Sequence, residues 1–526
     1  SMRYAFMTSI FGVIGSILFT MVVRMTNGFT NHALTEFYSA MKGRAGVLSV
    51  DPMTQVAIYQ QEQTALIQKL ERELGASIEA GVRPLQKSLN EFMSISTNEQ
   101  MRFLNAVVER FVDSPVAQVR VDNVRRAAAY IAAAFYGHPA RKLRMVGVCG
   151  TKGKTTTTYL MKAILEKAGF KTGLIGTTGN LIGDRSLPSN MTTPDPVDLH
   201  RCLRQMVDEG VEAVSMEVSA HAVDMHRVDG ITFEAACYTN FSQDHLDYFG
   251  TMQNYFETKK RFFIQGSALN AALNADDETS ASIIRDLKVP YLTYGISAEA
   301  DVFARDIEIS EEGVSFSIQL RGLENMPISM HLTGMFNVYN ALAAASLAMI
   351  MGIDKSAIRE GLESVKNVPG RVEILDTRTP YKVILDYAHS PDALENVLTT
   401  VRAFTRSRLI VLFGCGGDRD HGKRPIMGEI VGRLADFSIL TSDNPRTEDP
   451  EAILRSIEEG MKRTQGRYVV IENRREAIRY ALEMGREGDV IILAGKGNET
   501  YQDIMGVKRP FDEKVVVREL LAEMRA

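Results

Sequence analysis

The sequence predicts an α/β protein with two successive domains, each built around a mostly parallel sheet. From about residue 119 onward, short apolar runs alternate with helical patterns, which is typical of parallel strands covered by helices on both faces. A glycine-rich loop stands between one early apolar run and the helical pattern that follows it. The residues before this region carry only helical periodicity. We therefore expect an α-helical segment at 1–113, a P-loop central domain at 114–366 and a Rossmann-like C-terminal domain at 367–526.

Composition and charge narrow the classes of function. The chain has 526 residues, enough for several domains, and 45% of them are apolar and 24% charged, which is the globular range. The net charge of −5 at pH 7 gives no support for binding to nucleic acid. The 4 cysteines are scattered without metal-ligand spacing, which suits a reducing compartment rather than a disulfide framework.

The N-terminal segment contains a candidate membrane helix. Residues 4–23 are apolar and uncharged, and about 20 such residues span a bilayer. Arg24 and further basic residues follow, which would place the C-terminal side in the cytoplasm. A signal peptide and a buried core helix are the alternatives. Apolar residues then recur at steps of three and four across 56–111, which predicts an amphipathic stalk broken or kinked at Pro84.

The glycine-rich loop at 147–156 reads Gly-Val-Cys-Gly-Thr-Lys-Gly-Lys-Thr-Thr. Between a strand and a helix, such a loop cradles phosphates with its backbone N–H groups and the helix N-terminus. Lys154 would neutralise the β- and γ-phosphates, and the Thr155 hydroxyl would hold Mg²⁺. A bare strand-to-helix turn is the alternative, because Val148 stands where the usual spelling has a glycine. The predicted nucleotide-binding residues of the loop are Gly150, Thr151, Lys152, Gly153, Lys154, Thr155 and Thr156.

The rest of the central region alternates strand and helix patterns and then becomes richer in strands. Alanine-rich residues 119–136 predict a helix ahead of the glycine-rich loop, and 199–209 predict another after it. The expected strands are 145–148, 172–175, 213–218, 235–239, 291–294, 302–309, 314–320 and 328–332.

The C-terminal region repeats the strand and helix alternation beyond a hinge-like segment at 367–371. Its expected strands are 382–386, 409–413, 437–441, 468–471 and 490–494. Charged or glycine-rich loops follow these strands, at the sheet edge where functional loops gather in such folds.

The spelling Gly-x-x-Gly-Thr-x-Gly-Lys-Thr resembles the Mur ligases, the ATP-dependent amide ligases that build the peptidoglycan stem peptide. The likeness runs from about residue 114 to the C-terminus and includes 334–341, a family motif that opens a helix. It implies ATP and Mg²⁺ as cofactors, with Asn337 and Arg371 among the nucleotide contacts.

The resemblance also implies the catalytic groups and the metal ligands. Glu217 ends an apolar strand, where a Mg²⁺ ligand beside a P-loop belongs. His245 would help to hold a second Mg²⁺, and Lys259 would be carbamylated, which turns a cation into a carboxylate. The alternatives are a solvated Glu217, a salt-bridged His245 and a solvated lysine, with Lys260 as the other candidate for carbamylation. The implied catalytic residues are Lys154, Glu217, His245 and Lys259, and the implied metal ligands are Thr155, Glu217, His245 and Lys259.

Two further groups of residues match substrate contacts of the family. Thr192, Thr193, Ser219 and Arg227 match contacts to a muramoyl dipeptide, although Ala220 stands where the family has a second serine. The amino-acid contacts are expected in the C-terminal loops. They are Arg419, Asp443, Asn444, Pro445, Arg446, Gly495 and Glu499.

The Asp-Asn-Pro-Arg sequence at 443–446 marks family members that add meso-diaminopimelate. Arg446 offers a planar fork for the second carboxylate that distinguishes this amino acid from lysine. A surface ion pair of Arg446 with Glu448 or Asp449 is the alternative.

Together these features predict a ligase that adds meso-diaminopimelate to UDP-N-acetylmuramoyl-L-alanyl-D-glutamate through an acyl phosphate. The alternatives are a folylpolyglutamate-type ligase, a mechanical P-loop ATPase, and a membrane-anchored interaction protein with an impaired ligase domain. We consider the membrane-anchored interaction protein because 1–113 does not match the uridine-binding domain with which such ligases begin. Residues 5–12 instead faintly resemble a helix of the MotA/TolQ/ExbB proton-channel family.

The ligase domains are expected in the cytoplasm, at the inner face of the membrane if 4–23 spans it. Whether the join near residue 114 is natural, misjoined or engineered is left open, as is the oligomeric state.

Overall fold

The computed structural model describes residues 121–187, 191–297, 299–320 and 325–525. Arg125–Ala526 form one compact unit, and of the residues before it only 121–124 are described. The predicted helical segment 1–113 and its apolar stretch 4–23 lie outside the described residues and stay predictions. Within the described ranges, no helix is long and apolar enough to cross a membrane.

A large mixed sheet organises the first half of the described chain. Its strands are β1 (Arg144–Cys149), β2 (Thr172–Gly176), β3 (Gly179–Ile182), β4 (Arg185–Leu187), β5 (Ala213–Glu217), β6 (Ala235–Tyr238), β7 (Ala271–Asn274), β8 (Tyr291–Gly295), β9 (Val302–Ile309), β10 (Val314–Leu320) and β11 (Met326–Met330). Within the described residues it has 11 strands in the order β11-β10-β9-β8-β7-β6-β1-β5-β2-β3-β4. Neighbours from β9 to β2 run parallel, and the strands at the two edges pair antiparallel. The predicted mostly parallel sheet is confirmed.

Helices cover both faces of this sheet. They are α1 (Val124–Phe135), α2 (Lys154–Lys167), α3 (Pro196–Asp208), α4 (Ala220–Asp224), α5 (Leu246–Phe249), α6 (Met252–Ile264), α7 (Ser280–Asp286), α8 (Met335–Ile350) and α9 (Lys355–Ser364), with a 3₁₀ helix at Pro139–Lys142. One apolar core lies under α2, α8 and α9, and the other lies under α3 and α6. These two cores hold β1 and β5 in the middle of the sheet, fully buried or nearly so.

A second sheet organises the C-terminal part. Its strands are β12 (Glu373–Leu375), β13 (Lys382–Asp386), β14 (Leu409–Phe413), β15 (Phe437–Leu440), β16 (Tyr468–Val470) and β17 (Val490–Ala494). The order is β12-β13-β17-β14-β15-β16, and all neighbours except β12 and β13 are parallel. Its helices are α10 (Pro391–Phe404), α11 (Lys423–Leu434), α12 (Pro450–Met461), α13 (Arg474–Met484) and α14 (Glu513–Arg525). A separate hairpin joins β18 (Tyr501–Ile504) to β19 (Val507–Pro510).

Most of the predicted strands match the structure closely, and β9, β10, β13, β14 and β17 match it at both ends. The strand predicted at 328–332 instead spans Met326–Met330, because Met330 pairs with Val314 at the very start of β10. The short strands β3, β4, β7 and β12 and the hairpin were not predicted. These strands have only three or four residues each, and their sequences do not alternate apolar and polar residues, the pattern by which a half-buried strand is recognised.

A buried histidine stands out in the first domain. His200 lies on the inner face of α3 with 0% of its surface exposed. Within the described residues, neither of its ring nitrogens has a hydrogen-bond partner. Burial lowers the pKa of His200 to about 4, and nearby His138 acts in the same direction. The folded chain therefore holds this imidazole neutral at pH values where the unfolded chain protonates it.

We expect the free energy of unfolding to fall as the pH drops from about 6.5 towards 4, because only the unfolded chain takes up the proton in this window. His200 should account for up to about 2–3 kcal/mol of this loss. His200→Leu should therefore flatten the dependence of the melting temperature on pH between 7 and 4.5, relative to wild type. His331 is exposed, so His331→Leu is the matched control and should leave the dependence of the melting temperature on pH unchanged. Equal slopes for wild type and His200→Leu would contradict the prediction.

Candidate active site

The predicted phosphate loop joins the carboxyl end of β1 to the start of α2. Gly150 and Gly153 have φ values of 149° and 83°, a region that favours glycine. A Cβ at Gly150 would lie 1.9 Å from Thr239 Oγ1. A Cβ at Gly153 would lie 2.3 Å from Asn340 Oδ1. Neither position has space for a side chain, so the backbone of this loop packs closely against two other segments. The loop leads directly into the N-terminus of α2.

Lys154 and Thr155 open α2 and face the loop. The Lys154 ammonium donates to the carbonyl oxygens of Gly150 at 3.0 Å and Thr151 at 2.8 Å. Burial lowers the pKa of Lys154, and Lys259 lowers it further. The Thr155 hydroxyl accepts a hydrogen bond of 3.1 Å from the Arg371 guanidinium, which connects the predicted hinge to the loop. An anionic phosphate would give these cations stronger partners than neutral carbonyls and hydroxyls do.

Glu217 is the last residue of β5, the strand beside β1. It is 1% exposed, and Thr177 holds both of its carboxylate oxygens. The Thr177 N–H donates to Oε1 at 2.8 Å, and its hydroxyl donates to Oε2 at 3.1 Å. Thr177 was missed in the sequence, although it directly follows β2, the parallel neighbour of β5. Its backbone and side chain orient the carboxylate expected to bind metal.

His245 sits just before α5 with a positive φ of 55°. Burial lowers its pKa to about 3, although the nearby Asp244 acts in the opposite direction. The imidazole is therefore neutral, which is the form that binds a metal ion. Asp244 itself pairs with Lys152 of the phosphate loop at 3.1 Å. This ion pair ties the segment that carries His245 to the loop.

Of the two candidate lysines on α6, Lys259 reaches the phosphate loop. Its ammonium donates to the Gly150 carbonyl oxygen at 2.7 Å and lies 4.4 Å from the centre of the Tyr255 ring. Burial lowers its pKa, which favours the neutral amine that carbamylation requires. Lys260 instead donates to Ser282 and forms an ion pair with Asp286, away from the loop.

These donor groups suit Mg²⁺ held together with a nucleotide. Among the described residues, no group of three or more His, Cys, Asp or Glu side chains could hold a metal ion by itself. Mg²⁺, however, usually binds one or two carboxylates and completes its shell with waters and substrate phosphates. Glu217, His245 and the hydroxyl of Thr155 line the same cleft and fit that pattern.

The residues expected to bind a dipeptide cluster beside Glu217. The Thr193 hydroxyl donates to the Glu217 carbonyl oxygen at 2.8 Å and accepts from the Ser219 N–H at 3.1 Å. Arg227 donates to the Thr193 carbonyl oxygen at 2.9 Å. The Thr192 hydroxyl lies 2.9 Å from that of Thr177. The predicted metal ligand and the predicted dipeptide loop are therefore neighbours.

In the C-terminal part, Asn444 connects the loops expected to bind an amino acid. Its amide nitrogen donates to Glu499 at 2.8 Å, and its amide oxygen accepts from Lys496 at 3.1 Å and from the Asp503 N–H at 2.9 Å. Asn444 is 4% exposed. Both ends of its side chain are thus engaged within the protein, so in this arrangement it orients Glu499 and the hairpin.

Arg446 is held between a glycine loop and the hairpin. It has a positive φ of 50°, and its N–H and carbonyl oxygen bond to Asp503 and Met505 of the hairpin at 3.0 and 2.7 Å. Its guanidinium donates to the Gly417 carbonyl oxygen at 2.6 Å and lines the cleft. Glu448, the suggested surface partner, instead pairs with Arg424 at 2.8 Å.

One cleft of about 1380 Å³ brings the two parts together. Residues from the carboxyl ends of strands in both sheets line it. The predicted residues that line it are Thr151, Lys152, Gly153, Lys154, Thr155, Thr156, Thr192, Thr193, Glu217, Ser219, Arg227, His245, Arg371, Arg419, Arg446 and Glu499. Asp443, Asn444 and Gly495 line an adjoining cavity of about 140 Å³.

Four predicted residues line neither cavity: Gly150, Lys259, Asn337 and Pro445. Gly150 belongs to the phosphate loop itself, and Lys259 donates to its carbonyl oxygen. Asn337 is buried under the loop's neighbour Asn340, to which its amide oxygen is bonded at 3.0 Å. Asn340 lines the cleft and touches the loop, so it is better placed than Asn337 to contact a nucleotide, and the contact expected of Asn337 stays a prediction.

The hairpin supplies cleft residues that sequence reasoning missed. Tyr501 and Lys508 line the cleft, with the Lys508 ammonium 4.3 Å from the centre of the Tyr501 ring. Tyr339 and Asp276, joined by a 3.0 Å hydrogen bond, also line the cleft. Of these four residues, only Tyr339 lies in a motif noted in the sequence, the segment 334–341.

Two family models match the chain. The Mur ligase middle domain matches residues 148–348, and the Mur ligase glutamate ligase domain matches residues 370–497.

Curated relatives and solved structures agree with these matches. UDP-N-acetylmuramoyl-L-alanyl-D-glutamate--2,6-diaminopimelate ligase of Caldanaerobacter subterraneus is 48% identical over 408 residues, covering 78% of this chain and 84% of that protein. The ligase of the same name from Geobacillus thermodenitrificans is 46% identical, covering 80% and 87%. A solved structure of a ligase with this name has a TM-score of 0.56 at 34% identity, covering 79% and 85%. Folylpolyglutamate synthase of Mycobacterium tuberculosis, at 18% identity and a TM-score of 0.60, shares the fold.

The contacts of Thr177 with Glu217 generate a prediction about metal affinity. Thr177→Val keeps the side-chain volume and the N–H bond to Glu217 but removes the hydroxyl bond, so the carboxylate should be less well oriented. We expect Mg²⁺ affinity in the presence of ADP to fall by about tenfold, as for other losses of a group that orients a metal ligand. Calorimetric Mg²⁺ titration measures this. Thr178→Val is the matched control, because the Thr178 hydroxyl pairs with Tyr159 instead. Unchanged Mg²⁺ affinity in Thr177→Val would contradict the role.

Proposed function

Because this chain belongs to the Mur ligase family, we propose that it adds meso-diaminopimelate to UDP-N-acetylmuramoyl-L-alanyl-D-glutamate with consumption of ATP. The observation that carries the proposal is that one cleft is lined both by the phosphate loop with Glu217 and by Arg446 of the Asp-Asn-Pro-Arg loop. An acyl phosphate formed at the first group would lie within reach of an amine bound at the second.

The first half of the reaction transfers the γ-phosphoryl group of ATP to the side-chain carboxylate of the D-glutamate residue. The carboxylate oxygen forms the new bond to phosphorus, and ADP leaves with the electron pair of the broken bond. Lys154 turns from the carbonyls of the loop to the phosphates, where its charge is balanced. Thr155, Glu217 and His245 would hold Mg²⁺, with a carbamylated Lys259 as a supporting group, and the ion would supply further positive charge there. Thr193, Ser219 and Arg227 hold the dipeptide next to Glu217.

The second half is attack by the amine of the amino acid on the acyl carbon. The nitrogen forms the amide bond, phosphate leaves, and the nitrogen loses a proton. The C-terminal residues orient the amine and hold water out, since Arg419 approaches Asp247 at 3.5 Å and Asp420 approaches Gln243 at 3.3 Å across the cleft. Positioning alone can supply a large share of the acceleration of such a step.

Selectivity for meso-diaminopimelate follows from Arg446. The distal carboxylate of this amino acid would pair with the Arg446 guanidinium through charge-assisted hydrogen bonds, with Arg419 beside it. L-Lysine lacks this carboxylate and would leave a partly desolvated cation without its partner. Glu499, oriented by Asn444, offers a carboxylate for the distal ammonium group.

The proposal also covers organisation and location. We place the boundary between the two ligase domains at 366/367 and the reaction in the cytoplasm, where ATP and the nucleotide-linked precursor are available. Anchoring through 4–23 and uridine binding by residues 1–113 concern residues outside those that the structure describes, and both stay predictions.

Removal of the Lys154 ammonium tests the phosphate loop. Lys154→Ala should lower kcat for ligation by about 10³-fold or more, because a cation that stabilises phosphoryl transfer is lost. Phosphate release, measured with and without meso-diaminopimelate, distinguishes a ligase from an ATPase that turns over without the amine. Lys167→Ala, at the exposed far end of α2, is the matched control and should retain activity. Ligation within tenfold of wild type in Lys154→Ala would exclude this role.

Replacement of Arg446 tests the choice of amino acid. Wild type should prefer meso-diaminopimelate over L-lysine by roughly 10³-fold or more in kcat/KM, as expected for a site built around a charged substrate group. Arg446→Ala should lose most of this preference through a lower kcat/KM for meso-diaminopimelate. The exposed Arg455→Ala in α12 is the control. Comparable kcat/KM values for both amino acids in wild type would end the proposal, as would an unchanged preference in Arg446→Ala.

A further inference from the structure

A buried arginine lies beneath the loops that carry Arg446 and Glu499. Arg474 is the first residue of α13 and is 1% exposed. Its Nη2 donates to the carbonyl oxygen of Ala494 at 2.9 Å, and its Nη1 approaches that of Ser442 at 3.4 Å. The sequence contains no motif around this arginine, and neither the phosphate chemistry nor the substrate contacts described above involve it.

The third interaction of the Arg474 guanidinium is an ion pair. Its Nε donates to Glu513 Oε1 at 2.8 Å, and both side chains are inaccessible to solvent. Glu513 is the first residue of α14, so the C-terminal helix is tied to the same guanidinium. Burial raises the pKa of Glu513, and Arg474 opposes this shift. A buried pair of this kind contributes little net stability compared with apolar packing, which makes a positional role the better explanation for its presence.

The two carbonyl groups that Arg474 contacts stand at corresponding places in the chain. Ser442 directly precedes the loop 443–446, and Ala494 directly precedes the loop 495–499. Their strands, β15 and β17, flank β14 in the sheet. The loops meet over the end of β14, where a Cβ at Gly414 would lie 2.1 Å from the Thr441 carbonyl oxygen. We call Ser442 and Ala494, the residues that directly precede the two loops, the loop roots. The guanidinium therefore connects two loop roots that no direct strand pairing connects.

We propose that Arg474, fixed by Glu513, is a positioning residue that sets the spacing of the loops 443–446 and 495–499 and thereby the fit of the site to diaminopimelate. This inference rests on the proposed function. Arg446 and Glu499 lie on opposite loops, and Asn444 of the first loop is bonded to Glu499 of the second. A small change in the spacing of the loop roots therefore moves the two groups that would hold the distal carboxylate and the distal ammonium of the amino acid.

The planar guanidinium is the side chain suited to this task. It presents donors in three directions at fixed angles, whereas a lysine ammonium is a single point at the end of a flexible stem. Lys496, which is also fully buried, cannot take over, because its ammonium already donates to Asn444 and Glu499 at 3.1 Å each. Although burial alone would raise the pKa of Asp443, Lys496 and Arg474 keep it below its usual value. Arg474 thus also supports the charge at the start of the first loop.

The test compares KM values for the three substrates in the full chain. Arg474→Lys keeps the charge but cannot reach Glu513 and both carbonyls together, and Arg474→Met removes the charge. We expect KM for meso-diaminopimelate to rise about fivefold in Arg474→Lys and at least tenfold in Arg474→Met, because small displacements of positioned groups are costly. KM for ATP and for the UDP-linked dipeptide should stay within about twofold of wild type. The preference over L-lysine should fall in parallel.

A matched control separates positioning from stability. Arg408 forms an ion pair with the buried Asp489 and bonds to Met484, at the opposite end of the same sheet. Arg408→Met should lower the melting temperature but leave every KM unchanged. If Arg474→Met does not fold, Arg474→Lys alone decides the question.

The possible results have distinct consequences. An unchanged KM for meso-diaminopimelate in Arg474→Lys, or an equal rise in all three KM values, would overturn the inference while leaving the proposed function intact. A wild-type chain that adds no meso-diaminopimelate would overturn both.

Discussion

Two buried lysines converge on a single carbonyl oxygen, that of Gly150, and the arrangement of the site depends on this convergence. Lys154 reaches it from α2 at 3.0 Å, and Lys259 reaches it from α6 at 2.7 Å. Burial lowers the pKa of both groups. A carbonyl oxygen only partly compensates two cations, so the loop is electrostatically prepared for an anion. Phosphate at Lys154 and a carbamate at Lys259 would each relieve this imbalance.

The same loop organises its surroundings through close backbone approach. Thr239 and Asn340 fill the spaces in which side chains at Gly150 and Gly153 would lie, and Lys152 binds Asp244. Because Thr239 directly follows β6 and Asn340 lies on α8, the two apolar cores on either face of the sheet both determine where the loop sits. The stability of the domain and the geometry of the phosphate site therefore have the same origin.

In the C-terminal part, several loops have to be held at defined distances from one another. Backbone pairing cannot do this, because β14 lies between the strands that carry the two amino-acid loops. Buried polar groups connect them instead: Asn444 and Lys496 within the loops, and Arg474 beneath them. Such groups are costly to bury. Because the hydrogen bonds of each group can form only in a narrow range of geometries, these groups fix the positions of the loops.

The sequence by itself determined the fold class, most of the strands and the main chemical groups. These follow from local patterns: alternation, glycine spacing and the position of charged residues after apolar runs. Only the tertiary structure separated the surroundings of Lys259 from those of Lys260, placed Asn340 rather than Asn337 at the cleft, and brought in Thr177, the hairpin and Arg474. The physical reason is that each of these depends on contacts between segments distant in the chain. Adjacent lysines on one helix differ in which neighbour they face, and a side chain that orients Glu217 or a loop root is recognisable only once its partner is in place.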